Sequence, residues 1–402
     1  MTTIGELAAS TPATRDRGVD FLRAASILTV VIGHWFIGLI YWQDGVIGTR
    51  SAIGVTSFMW LGTWVFQVMP IFFFVGGFSN LTAFEAAERR GEPAGSFVRR
   101  RVSRLLRPSL VFLGIWAVVQ IALHVLDVGG STAPTLWGDT TLLRGMRPPP
   151  ATVPFGPLWF LGFYLVVVTI APITVRLHRR YGWGVIWVMA AGAVACDALG
   201  FTVDGLFRWG NVVFVLLLPH QLGHFLADGS LARLPRRVFW GMIVGGLAGL
   251  VLLTNPWIFE PFGADRFRWF PGIGYYPKSL LGTDAELVSN AYPPTLCYLF
   301  GGVWSIGAVM LLRLRLARWL ERPRPWRFTI AVNSMIMTLF LWHMTAYLIA
   351  ILVLWPLGLG RGADTTATWW LERPVWIVAP GLVLAAIVAV FARFERPPAR
   401  GS

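Results

Sequence analysis

Ten apolar stretches, each long enough to cross about 30 Å of hydrocarbon at about 1.5 Å of helix per residue, constrain this chain more than any other feature. They begin near Val19, Thr56, Pro108, Pro157, Trp183, Asn211, Val238, Pro294, Phe328 and Pro374. Hydrocarbon offers no water to backbone N–H and C=O groups, so a stretch of this length closes into a helix. The expectation is an all-α integral membrane fold, a single polytopic bundle of about ten transmembrane helices.

Charge and composition bear on the same point. Only 13% of the 402 residues are charged and the mean hydropathy is +0.62, whereas a soluble domain carries roughly 25% charged residues. The 21 Trp and 28 Phe suit the headgroup level, where one edge of a ring is wet and the other apolar. A net charge of +14 would suit nucleic acid only if it formed a patch on a soluble face. Here the basic residues lie between apolar runs, so the partner they indicate is the lipid bilayer and not nucleic acid.

Those basic residues also orient the chain. Of the 34, 25 fall in the N-terminal segment through Arg23, in 89–107, 176–180, 233–237 and 313–327, and at the C-terminus; nine fall on the opposite side. The positive-inside rule then makes both termini cytoplasmic, in a multi-pass protein of the cytoplasmic membrane. Residues 1–18 read as a cytoplasmic tail, 19–394 as one membrane domain and 395–402 as a second cytoplasmic tail. Met1 to Thr14 lacks the pattern of a cleaved signal peptide. The two longest connections, Val128–Phe155 and Asn255–Pro293, fall on the outer side. Cys196 and Cys297 lie in apolar stretches and indicate neither a disulfide nor a thiolate metal site.

The first apolar segment carries three ionisable side chains, Asp20, Arg23 and His34. Each costs about 2.5–3.5 kcal/mol or more at mid-bilayer, so such residues are functional candidates. Eleven residues is nearly a whole number of turns, which puts Arg23 and His34 on one stripe about 16 Å apart. Asp20, three residues before Arg23, can pair with it. The plainer account has Arg23 snorkelling to the headgroups and His34 packing as a satisfied core histidine.

Asp20-x-x-Arg23, then ten intervening residues and His34, resembles the acyltransferase-3 family of membrane O-acyltransferases. The resemblance continues in chain order. Pro70 to Phe78 is similar to that family's second-helix motif, with Gly76 where serine is usual. Phe97 to Pro108 resembles its basic cytoplasmic segment, including the Arg101-x-x-Arg104 pair, and Leu158-Trp159-Phe160-Leu161 with Pro172 resembles its fourth-helix signature. Thr338-Leu-Phe340-Leu-Trp342-His343 looks like its Ser-Leu-Tyr-Leu-Trp-His element, with Thr338 and Phe340 substituting.

The resemblance implies an acyl-CoA-dependent enzyme, most often using acetyl-CoA. It would acylate a hydroxyl of a glycan, glycolipid or metabolite outside the cytoplasm or at the membrane. Histidine suits the base this chemistry needs, its ordinary pKa of about 6.5 lying near working pH. Counted from the helix starts, His34 and His343 both lie about 22 Å from the cytoplasmic end. Arg99, Arg100, Arg101, Arg104 and Arg107 could hold the polyanionic head of the co-substrate, although the positive-inside rule alone accounts for them. His220 and His224, four apart, could bind a metal, but no acidic third ligand lies nearby in sequence, so no metal is expected and lining of a polar cavity is the favoured role. Asp197 reads as interfacial. A transporter or flippase is the competing class, for which buried charges serve equally; the chain shows no inverted repeat.

Overall fold

The computed structural model describes residues 5–6, 11–12, 15–43, 46–125, 155–254, 276–282, 289–360, 362 and 364–395. Most of the two long connections, 126–154 and 255–275 with 283–288, lies outside the described residues, as does the tail from 396.

The apolar stretches do close into helices. In chain order these are α1 Arg17–Ile37, then a two-stranded sheet of β1 Gly38–Gln43 and β2 Val46–Ser51, α2 Ala52–Val55, α3 Met59–Phe66, α4 Met69–Arg89 and α5 Ala94–Val125. There follow α6 Leu158–Thr169, α7 Ala171–Tyr181, α8 Gly184–Thr202, α9 Asn211–Ala227 and α10 Arg236–Thr254. The chain continues through α11 Leu296–Trp319, α12 Pro323–Asn333, α13 Ile336–Leu354 and α14 Ala367–Phe391. Among the described residues nine helices are long and apolar enough to span a membrane, and α6 with α7, bent by 54°, makes a tenth if the pair crosses together. The protein is therefore an all-α multi-pass membrane protein.

Local chemistry explains where several helices start and bend. Asp16 accepts the Val19 N–H at 3.0 Å and so caps α1. Pro172 cannot donate to the Val168 carbonyl, and its ring crowds the preceding turn, which breaks the α6–α7 pair after Thr169. The third helix departs from the sequence reading: it begins at Ala94, well before Pro108, and runs through that proline. Its first turns carry arginines that a hydropathy window rejects but that water and headgroups satisfy outside hydrocarbon.

Backbone contacts group the chain into two units. The first comprises Met1–Ser26, Ser51–Gly91 and Ala171–Arg327; the second comprises Ile27–Arg50, Glu92–Ile170 and Phe328–Ser402. In the first unit α4 packs on α9, and α10 on α11. Trp64 lies in this core, donating to the Lys278 carbonyl at 2.8 Å, and Trp304 donates to the Trp64 carbonyl at 3.1 Å. In the second unit α13 packs against α14 and α5. There Phe112 sets its ring edge-on to Trp342, and Trp116 donates to Thr345 Oγ1 at 3.1 Å.

With the bent α6–α7 pair counted as one span, ten crossings would return the chain to the side on which it began. Reporter fusions after Arg90 and after Arg322 are expected to read cytoplasmic, and one within 255–293 external. An external reading at Arg322 would remove a crossing from the count.

Candidate active site

His34 lies in the last turn of α1 and His343 in the second turn of α13, and the second unit brings them into contact. His34 Nδ1 is 3.0 Å from His343 Nε2, with the rings stacked at 25°. The helices are pinned at the same level, because Trp35 Nε1 donates to the His343 carbonyl at 3.0 Å. His34 is half-buried and His343 is fully buried.

The hydrogen bonds assign the tautomers. His343 Nδ1 lies 2.6 Å from the Phe340 carbonyl oxygen, which can only accept, so Nδ1 carries the hydrogen. A neutral imidazole has one N–H, which leaves a lone pair on His343 Nε2. His34 Nδ1 must then donate across the 3.0 Å contact. The outcome is a directed chain from His34 to His343 to the Phe340 carbonyl, with the remaining lone pair on His34 Nε2. This is the arrangement a general base requires, a basic nitrogen whose partner nitrogen is held by an oriented acceptor.

Asp20 and Arg23 occupy the opposite end of α1, within the first unit. Arg23 Nη1 lies 3.5 Å from Asp20 Oδ1, and its Nη2 donates to Ser79 Oγ. Asp20 is buried and is also paired with Arg15, so it anchors two guanidinium groups. The i,i+3 pairing expected from the sequence is present, and Ser79 is a partner that no spacing rule indicates.

The basic segment forms the first turns of α5. Arg99, Arg100, Arg104 and Arg107 are exposed, and Arg101 is half-buried, its guanidinium 5.9 Å from the Phe97 ring centre. Arg100 is salt-bridged to Glu92 at 2.6 Å. Arg104 acts electrostatically on Glu395, just beyond the last helix. Burial lifts the Glu395 carboxyl above its ordinary range, against the opposing pull of the Met337 and Thr338 donors and of Arg104.

The remaining candidates resolve differently. His220 and His224 are fully buried in the first unit among protein groups: His220 Nε2 meets Asn80 Nδ2 at 3.0 Å, while His224 Nδ1 meets the Gly77 carbonyl at 3.0 Å and Nε2 meets Thr174 at 3.2 Å. They cross-link α4, α7 and α9, and this packing replaces the cavity-lining role expected from the sequence. Among the described residues no group of three His, Cys, Asp or Glu could hold a metal ion. His178, unremarked in the sequence, joins this network through Gln221 and Asp228, each at 3.0 Å. Asp197 is buried, 1% exposed. It accepts from Asn211 at 2.6 Å, Tyr276 at 2.6 Å and the Leu296 N–H at 2.8 Å, because a buried carboxylate needs several donors.

The second unit of this many-helix membrane protein therefore holds an oriented histidine pair, one ring half-buried and the other fully buried. The class narrows further: the acyltransferase-3 family model, described as an acyltransferase domain, matches residues 16–393, and the chain belongs to that family. It is a membrane acyltransferase. No curated protein and no solved structure matches the chain.

Proposed function

We propose that the protein moves an acyl group, acetyl in the first instance, from cytoplasmic acyl-CoA to a hydroxyl of an extracytoplasmic or membrane-associated glycan, glycolipid or metabolite, and that it works in the cytoplasmic membrane. The observation that carries this reading is the directed His34–His343 contact at 3.0 Å in a chain of acyltransferase family. The acceptor hydroxyl gives its proton to His34 Nε2 as its oxygen attacks the thioester carbonyl carbon. The carbon–sulfur bond then breaks, and the departing thiolate takes the proton, so the products are the ester and free CoA. His343 holds the His34 ring and its tautomer. Purified protein in lipid, given radiolabelled acetyl-CoA and a cell-envelope extract, should label a hydroxyl-bearing component of the extract. Absence of any transfer from acetyl-CoA or longer acyl-CoAs would overturn the donor assignment.

The arginines on α5 supply the cationic surface that the diphosphate of the donor needs, and guanidinium forks suit phosphate oxygens. Replacing Arg101 and Arg104 together by Gln is expected to raise the KM for acetyl-CoA by about tenfold, with little change in the acceptor KM. A normal donor KM at normal protein level would return both residues to setting topology.

A further inference from the structure

Arg373 is a buried charge that the proposed chemistry does not use. It lies inside α14 with only 5% of its surface exposed. Its guanidinium sits 4.0 Å over the Trp369 ring, and Nε donates to the Trp369 carbonyl at 3.1 Å. Nη1 reaches another helix, donating to the Phe36 carbonyl at 3.3 Å and the Gly38 carbonyl at 3.1 Å. Those carbonyls flank Ile37, where α1 ends, and the last carbonyls of a helix have no N–H of their own and carry its partial negative charge. Arg373 therefore caps α1 two residues beyond His34.

The other end of the same element does the reverse. After α14 a short 3-10 turn, Ala392–Phe394, leads into Glu395. The Glu395 carboxylate accepts the Met337 and Thr338 N–H groups and the Thr338 hydroxyl, each at 3.0 Å. These N–H groups belong to the first turn of α13, whose own N-cap residue, Met335, has no side-chain cap bond. Glu395 thus holds the partially positive end of the helix that carries His343, five residues on from Thr338. Between the two caps α14 packs along α13, with Phe391 stacked on Trp342 at 4.4 Å and Trp376 edge-on to Tyr347 at 5.9 Å.

We infer that α14 is a brace for the histidine pair, with Arg373 and Glu395 as positioning residues. One fixes the end of the His34 helix and the other the start of the His343 helix, so together they set the 3.0 Å contact between the rings. The sign of each charge matches the helix end it meets, and one continuous stretch, α14 with its 3-10 turn, leads from one to the other. The inference rests on the proposed role of the histidine pair, and the test separates the two.

Arg373→Lys loses the guanidinium fork and Glu395→Gln loses the charge while keeping an acceptor, so both are mild enough to fold. Each is expected to lower turnover from radiolabelled acetyl-CoA by about 10–100-fold with KM for acetyl-CoA within about twofold, the cost of misplacing a reacting group by an ångström or less. In a His343→Ala background the same substitutions should add less than about twofold, because the contact they position is already gone. A readout independent of turnover is the rate at which diethyl pyrocarbonate modifies His34, followed by peptide mass; it should change in both variants. Wild-type turnover and His34 labelling in folded variants, or a full loss repeated on top of His343→Ala, would overturn the brace while leaving the histidine pair standing. Wild-type turnover in His34→Ala and His343→Ala would instead overturn the pair, and the brace with it.

Discussion

Replacing His34 by alanine is expected to lower turnover by about 10²–10⁴-fold, the usual contribution of a positioned acid–base group, while donor binding and folding stay close to wild type. The assignment to His34 rather than its partner follows from the bond directions. His343 spends one ring nitrogen on the Phe340 carbonyl and the other on His34, whereas His34 keeps Nε2 for the acceptor hydroxyl. His343→Ala should therefore cost about 10–100-fold, the loss of an orienting partner, and His343→Gln, whose side-chain oxygen can still accept from His34 Nδ1, should recover part of it. The measurement is steady-state transfer from radiolabelled acetyl-CoA per folded molecule. Near-normal turnover in His34→Ala beside a large loss in His343→Ala would pass the role of base to His343; normal turnover in both would end the histidine mechanism.

Much of this was legible in the sequence because hydrocarbon imposes a length and a composition on anything that crosses it. The apolar windows located every spanning segment, and the eleven-residue interval between Arg23 and His34 placed both on one face of α1. What the sequence could not supply was contact between segments far apart in the chain. His34 and His343 are 309 residues apart, and equal depth was the only hint that they meet. Helix ends were also misplaced: α13 starts at Ile336 and not near Phe328, so the depth counted for His343 from Phe328 does not hold, and other ends were missed where charge sits. The window beginning at Pro374 left Arg373 in the preceding loop, yet α14 starts at Ala367, its first turn capped by Thr366, whose side chain accepts from the Trp369 N–H. A hydropathy scale penalises an arginine for its charge and takes no account of the two carbonyls at the end of another helix that satisfy it. The partners of Asp197 were equally illegible, its three donors lying outside α8.

Substituting Gly77 or Gly223 by alanine should lower the yield of folded protein severely, although neither residue touches the proposed chemistry. The two glycines let α4 and α9 approach to backbone contact, as small residues do where membrane helices cross closely. A Cβ at Gly77 would fall on the His220 carbonyl oxygen, and one at Gly223 on the Phe74 carbonyl oxygen and 2.7 Å from the Phe78 nitrogen. Backbone atoms inside a helix cannot rotate away as a side chain would, so the helices must separate. Separation also opens the Asn80–His220 and Gly77–His224 bonds, both 3.0 Å long and buried. Overpacking costs about 1–3 kcal/mol, and each buried polar group left without its partner costs about another 1–3 kcal/mol. Against a typical total of about 5–15 kcal/mol, that sum takes most of the margin. The control is Gly241→Ala on α10, where an added Cβ meets nothing within 4 Å. Thermal unfolding and monodispersity in detergent should leave Gly241→Ala like wild type and move the other two far below it; equal behaviour of all three would mean that α4 and α9 do not pack through these glycines.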